Sequence, residues 1–142
     1  MISSADILHG KILIVDDLEA NVLLLTRMLA TAGYTFVAST RDPQEVCELH
    51  RKNRYDLILL DHQMPLMDGF QVMEGLKSIE LDRYLPVLVI TSQPGHKLHA
   101  LQIGAKDFIS KPFDLDEVLA RVHNMLEVRL LHGELHLSLI HI

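Results

Sequence analysis

Alternating strand and helix signals predict an α/β protein, a doubly wound five-stranded parallel sheet with helices on both faces. Three observations predict it. The runs Ile12-Leu13-Ile14-Val15, Leu57-Ile58-Leu59-Leu60 and Val87-Leu88-Val89-Ile90 are apolar throughout, the pattern of strands buried on both faces. Apolar stripes at helical spacing stand between these runs. Connections are short, and polar residues follow the runs directly: Asp16 and Asp17, Asp61, Thr91, and Lys111 after Phe108-Ile109-Ser110.

The elements follow in order. Lys11 opens the first strand. Leu18, Val22, Leu25, Met28 and Leu29 fall on one face of a first helix that Gly33 ends. A second short strand is expected from Thr35 to Ala38. Asp42-Pro43-Gln44-Glu45 joins an N-cap, a proline at the first helical position and a Glu at the third. Arg51-Lys52-Asn53-Arg54 reads as the solvated end of that helix, where cations suit the dipole. Tyr55-Asp56 leads into the third strand. Met64 to Gly69 is the loop after it, and Asp68-Gly69 is the turn that starts a third helix reaching about Ile79. Pro86 opens the fourth strand, where a missing N–H does little harm. Pro94-Gly95 starts a fourth helix that Gly104 terminates, and Asp107 to Ser110 is the fifth strand. Leu115, Val118, Leu119, Val122 and Leu126 make the stripe of the last helix, while Met28 and Met73 fit core positions.

At 142 residues the chain is sized for one domain with a real core, and 49% hydrophobic with 23% charged residues is a globular composition. The formal charge of −6, with no long basic run, argues against a nucleic-acid surface. Cys47 is alone, so a disulfide framework and the zinc spacings are excluded, and it reads as a buried structural thiol. No apolar stretch reaches the ~18 residues of a membrane span, and a cytoplasmic protein is expected. Residues 1–10 read as an N-terminal extension, 11–128 as the domain and 129–142 as a tail. In that tail the last helix continues to His132 and Gly133 interrupts it. Leu135, Leu137, Leu139 and Ile140 then have too little chain around them to be buried. A helical linker, an interface segment and expression-derived residues are the expected origins.

Ligands in doubly wound sheets sit at the carboxyl ends of the strands, where the strand order reverses. Placing the first and third strands side by side brings Asp16, Asp17 and Asp61 together. Carboxylates around one point repel by ~4 kcal/mol per close pair at an effective dielectric near 20, which protonation, a cation or both must offset. Oxygen ligands with room for water favour Mg²⁺ or Mn²⁺. An Asp can then attack phosphorus to give an acyl phosphate, with Lys111 and the Thr91 hydroxyl helping to neutralise the transferring oxygens.

In order and with suitable spacing, ILIVDD, LILLDHQMPLMDG, VLVITS and DFISKPF resemble the receiver domain of two-component response regulators, over nearly all of residues 10–128. The resemblance implies a flavodoxin-like (βα)₅ fold of strand order 2-1-3-4-5, with Asp61 as phosphoacceptor. It implies metal ligation by Asp17 and Asp61 directly, by Asp16 mainly through water, and by the Gln63 backbone carbonyl. Thr91 corresponds to the hydroxyl residue that moves toward the phosphoryl group, Lys111 to the motif lysine, and the Lys111–Pro112 bond is expected cis. Phe108 takes the place of the switch aromatic; many relatives carry Tyr there, and Phe lacks the hydroxyl for an outward bond. Gln63 and Gln93, two residues past Asp61 and Thr91, are expected to tune the phosphoryl lifetime by orienting or blocking water.

The partners implied are a sensor histidine kinase or phosphotransfer protein and an output domain or effector. A homodimer through the surface of the fourth helix, fifth strand and fifth helix is a further expectation. LARVHNMLEVRLLH is similar to the junction in regulators that carry an HD-GYP cyclic-di-GMP phosphodiesterase domain, although no HD or GYP residue is present. Two other classes compete: an interaction module that works without phosphorylation, and a haloacid-dehalogenase-like phosphohydrolase. The second normally needs Asp-x-Asp at the first strand, where this chain has adjacent acids. His62, by strand alternation, points away from Asp61. His96 and His99 read as a solvated helix face, and His132 with His136 has metal-clip spacing but no completing ligand.

Overall fold

A computed structural model describes residues 2–61, 69–79, 85–91, 107–112 and 114–140, with the backbone alone at 69, 70 and 133–140. Five strands, β1 (Lys11–Val15), β2 (Phe36–Thr40), β3 (Leu57–Asp61), β4 (Val87–Thr91) and β5 (Asp107–Ser110), form one sheet of order β2-β1-β3-β4-β5. Every pairing is parallel. Helices among the described residues are α1 (Ser4–Leu8), α2 (Glu19–Thr31), α3 (Val46–Asn53), α4 (Gly69–Ile79) and α5 (Leu115–Ile140). The expected doubly wound flavodoxin-like sheet is therefore present. β2 lies slightly later than Thr35 to Ala38, and the helix expected between Pro94 and Gly104 lies outside the described residues.

Period-two alternation divides the core. Ile12, Ile14, Leu57, Leu59, Leu88 and Ile90 turn to the face covered by α1, α2 and α5, where they meet Ile7, Leu25, Leu29, Val118, Val122 and Leu126. Leu13, Val15, Ile58, Leu60, Val87 and Val89 turn to the other face and meet Val46 of α3 and Val72, Met73 and Leu76 of α4. Full burial of such side chains contributes about 1.5–3 kcal/mol each. Two expected stripe positions are exposed and two, Met28 and Leu119, are only partly buried. Leu18 is exposed because it precedes α2 as its N-cap, and Leu115 is exposed at the first residue of α5.

Helix ends show how local chemistry sets the boundaries. Asp42 caps as expected, its carboxylate accepting from the Gln44 N–H at 2.9 Å, but Pro43–Glu45 is a 3₁₀ turn that hands over to α3. Gly33 takes φ +103° just past α2, a left-handed conformation that glycine adopts without a Cβ clash. Residues 1–10, expected as an extension, contain α1 with a Ser3/Asp6 capping box. The Ser3 N–H and hydroxyl hold the Asp6 carboxyl below its usual pKa. At the other end α5 runs through Gly133, correcting the expected interruption; a single glycine costs about 1 kcal/mol in a helix interior, which good helix formers on either side offset.

Where α4 crosses α3, a Cβ on Gly75 would lie 2.5 Å from the Cys47 Sγ. Burial pushes the Cys47 thiol pKa up, so it stays neutral at this contact. Gly75→Ala is expected to destabilise the wild type by about 1 kcal/mol through overpacking, yet to stabilise a Cys47→Ala background by a similar amount through helix propensity. Urea titration of the four proteins checks the sign reversal; equal effects in both backgrounds would contradict it.

Candidate functional site

The site is built by the carboxyl ends of the strands. Val15 of β1 pairs in register with Leu60 of β3, so Asp16 and Asp61 each stand one residue further on, side by side. Thr91 ends β4 and pairs with Ser110 of β5. The Thr91 carbonyl accepts the Lys111 N–H at 2.8 Å, which seats the lysine on the same rim. The Lys111–Pro112 peptide is cis.

Asp16, Asp17 and Asp61 each place a carboxylate oxygen within 4.8 Å of the others. Asp16 is 1% and Asp61 3% exposed, so water screens them poorly. Lys111 supplies positive charge, its Nζ 3.3 Å from Asp61 Oδ1 and 4.0 Å from Asp16 Oδ2. Asp16 Oδ1 accepts from the Leu18 N–H at 3.0 Å, an anchor that orients the carboxylate and starts α2. Its Oδ2 is buried with no hydrogen-bond partner. Among the described residues, one ammonium beside three carboxylates leaves a surplus of negative charge, and a buried carboxylate oxygen without a donor costs about 1–3 kcal/mol. Both features fit a hard divalent cation, whose preferred donors are oxygens of this kind.

The structure thus gathers Asp16, Asp17, Asp61, Thr91 and Lys111 on one rim. Phe108 lies one strand over, half-buried against the core face of α3 and α4. Gln63, Gln93 and His62 lie outside the described residues, as do His96 and His99. Beyond Thr40, whose hydroxyl donates to Glu45 Oε2 at 2.9 Å, two buried polar groups went unremarked in the sequence. His50 is fully buried, and its Nδ1 accepts the Tyr55 N–H at 3.1 Å, tying the end of α3 to the start of β3. Arg129 is buried against Asp56. Helical spacing could have found both: His50 follows Val46 by four, and Arg129 follows Val122 by seven.

A doubly wound sheet with an acidic, lysine-bearing rim at its strand ends defines a class of small α/β domains. The response regulator receiver domain model matches residues 12–123, and the chain belongs to that family. It is 39% identical over 130 residues to the response regulator PleD of Caulobacter vibrioides, covering 90% of this chain and 28% of that protein's length. It is 32% identical to the chemotaxis protein CheY of Bacillus subtilis over 116 residues, 82% of this chain and 97% of the relative. Among solved structures, the receiver domain of a sensor histidine kinase from Pseudomonas aeruginosa, with a magnesium ion coordinated in its active-site cleft, superposes with a TM-score of 0.76 at 27% identity. That match covers 84% of this chain and 98% of the other. The chain is a receiver domain of two-component signalling, and receivers are signalling modules. No helix among the described residues is long and apolar enough to cross a membrane.

Proposed function

We propose that this receiver takes a phosphoryl group from a partner histidine onto Asp61 in a reaction that requires Mg²⁺. The observation that carries the reading is the juxtaposition of Asp61 with Asp16, Asp17 and Lys111 on one buried rim. Asp16, Asp17, Asp61 and the Gln63 carbonyl would hold the cation, which neutralises phosphoryl oxygens when bound. Asp61 is the nucleophile: one oxygen attacks phosphorus and the donor leaves with the bonding pair. Lys111, already 3.3 Å from Asp61 Oδ1, neutralises charge on the oxygens arriving there. Thr91, buried at the end of β4, supplies a hydroxyl that draws toward the new anion, and Phe108 on β5 follows.

Donor and recipient are a sensor histidine kinase or phosphotransfer protein in the cytoplasm, and an output domain or effector downstream. The chain spans 28% of PleD's length, so output and whole-protein activity are part of this proposal. The HD-GYP output expected from the junction stretch has no counterpart in the names of these relatives. Intact-protein mass spectrometry after incubation with acetyl phosphate tests the reading. One phosphoryl adduct is expected, dependent on Mg²⁺ and mapping to Asp61 after borohydride trapping. A folded protein that forms no adduct with Mg²⁺ present would favour an interaction module working without phosphorylation, and steady hydrolysis of a generic phosphate ester would favour the phosphohydrolase.

A further inference from the structure

The family match ends at residue 123, yet the packed body does not. Met125, Leu126 and Arg129 are buried and Leu130 packs against the core, two further turns of α5 on the same face as Val118 and Val122. Two features hold those turns, and both lie at the amino-terminal end of the sheet, opposite the acidic rim. The first is ionic. Arg129, with its side chain 8% exposed, places Nε 3.5 Å from Asp56 Oδ1, while Asp56 Oδ2 accepts the Lys11 N–H at 2.9 Å. The Asp56 N–H in turn donates to the Lys11 carbonyl at 2.7 Å. One carboxylate thereby joins α5 to the first residue of β1 and the approach to β3. The second is steric. α1 contributes Ile7 to the same core, and the turn after it brings Gly10 so close that a Cβ there would lie 2.9 Å from Leu126 Cδ2.

A buried arginine is strongly unfavourable unless a carboxylate accompanies it, so the pair selects one seat for the helix end. Asp56 precedes β3 and Asp61 ends it, so the two lie roughly 16 Å apart along a strand whose residues are all buried. β3 is a close-packed central strand with hydrogen-bonded neighbours on both sides. The groups expected to move, Thr91 and Phe108, belong to β4 and β5.

We propose that the Asp56–Arg129 pair, together with the turn after α1 packed on Leu126, forms a fixed latch that makes α5 a rigid part of the receiver through Leu130. The helix is then a strut carried with the domain in both signalling states, never a segment released by phosphorylation. This second half rests on the phosphoacceptor reading above.

Hydrogen exchange of the full chain tests the latch, comparing wild type, Asp56→Asn and Arg129→Ala, each with and without acetyl phosphate and Mg²⁺. Asp56→Asn keeps an acceptor for the Lys11 N–H and removes only the charge, so β1 and β3 should keep their protection and report an intact fold. Without phosphodonor, amides of residues 124–132 are expected to lose about tenfold in protection in both variants, an effect confined to α5. In wild type those amides should exchange at the same rate, within twofold, before and after Asp61 is modified. Unchanged protection in both variants would overturn the latch. Opening of residues 124–132 on modification of the wild type would overturn its fixity. Absence of any adduct on Asp61 would instead overturn the phosphoacceptor reading, while the comparison without donor still decides the latch.

Discussion

Asp61→Asn is expected to abolish the phosphoryl adduct completely while leaving the fold intact and, without metal, somewhat more stable. The amide matches the carboxylate in shape and sits at the end of a strand whose backbone pairing does not depend on its charge. What it lacks is an anionic oxygen able to attack phosphorus, so labelling should fall below detection rather than slow. The stability change has its own sign argument. Asp61 is 3% exposed, within 4.8 Å of two other carboxylates and beside one ammonium. Removing its charge relieves the repulsion from Asp16 and Asp17 and gives up the attraction of Lys111, a net gain on the order of 1 kcal/mol. The same substitution removes a cation ligand, so the midpoint shift that saturating Mg²⁺ gives the wild type should shrink; such a shift is worth about 2.7 kcal/mol at a hundredfold excess over Kd. Denaturant titrations with and without Mg²⁺, run beside the labelling assay, measure all three quantities. Equal labelling of the two proteins would place the nucleophile elsewhere.

The three central strands were legible because each carries a continuous apolar run of four residues, and burial on both faces leaves few other readings for such runs. The rim was legible for a linked reason: Asp16, Asp17, Asp61 and Thr91 follow those runs and Lys111 follows the fifth strand, so fixing the strands fixed the site. Positions whose role depends on contacts distant in sequence were not legible. Arg129 fell at the start of the expected tail because its partner, Asp56, lies 73 residues earlier, at the entry to β3 on the end of the sheet opposite the site. His50 was missed for a different reason: polarity suggests exposure, whereas its ring nitrogen accepts the Tyr55 N–H just ahead of β3. Leu18 misled in the other direction. It fits the helical stripe by spacing, but it is placed by the Asp16 carboxylate that its own N–H meets, so the demands of the site override the periodicity of α2.

Lys111→Met should have the largest effect on stability, and the effect should depend on metal. Lys111 holds its Nζ 3.3 Å from Asp61 and 4.0 Å from Asp16, with its side chain 23% exposed. A methionine of similar length fills the same channel, so the variant isolates the charge from the packing. Without metal, the three carboxylates then lose the Lys111 ammonium that stands beside Asp61 and Asp16. Removing one partner of a buried ion pair costs about 3–5 kcal/mol in full burial, and the partial exposure of the lysine reduces this to about 2–3 kcal/mol. A divalent cation would restore most of that loss, because it meets the same surplus of negative charge from the other side. The variant should therefore gain more from saturating Mg²⁺ than the wild type does, the opposite of Asp61→Asn. Phosphorylation should persist but slow by about tenfold or more, since the nucleophile is intact and one source of charge neutralisation is gone. The pair of variants separates two roles that a single deletion would confuse. A fall in metal-free stability together with an enlarged Mg²⁺ shift identifies Lys111 as the counter-charge of the rim. A stability equal to that of the wild type, with or without the ion, would mean that the carboxylates are already balanced by other groups, and Lys111 would then be needed for the transfer alone.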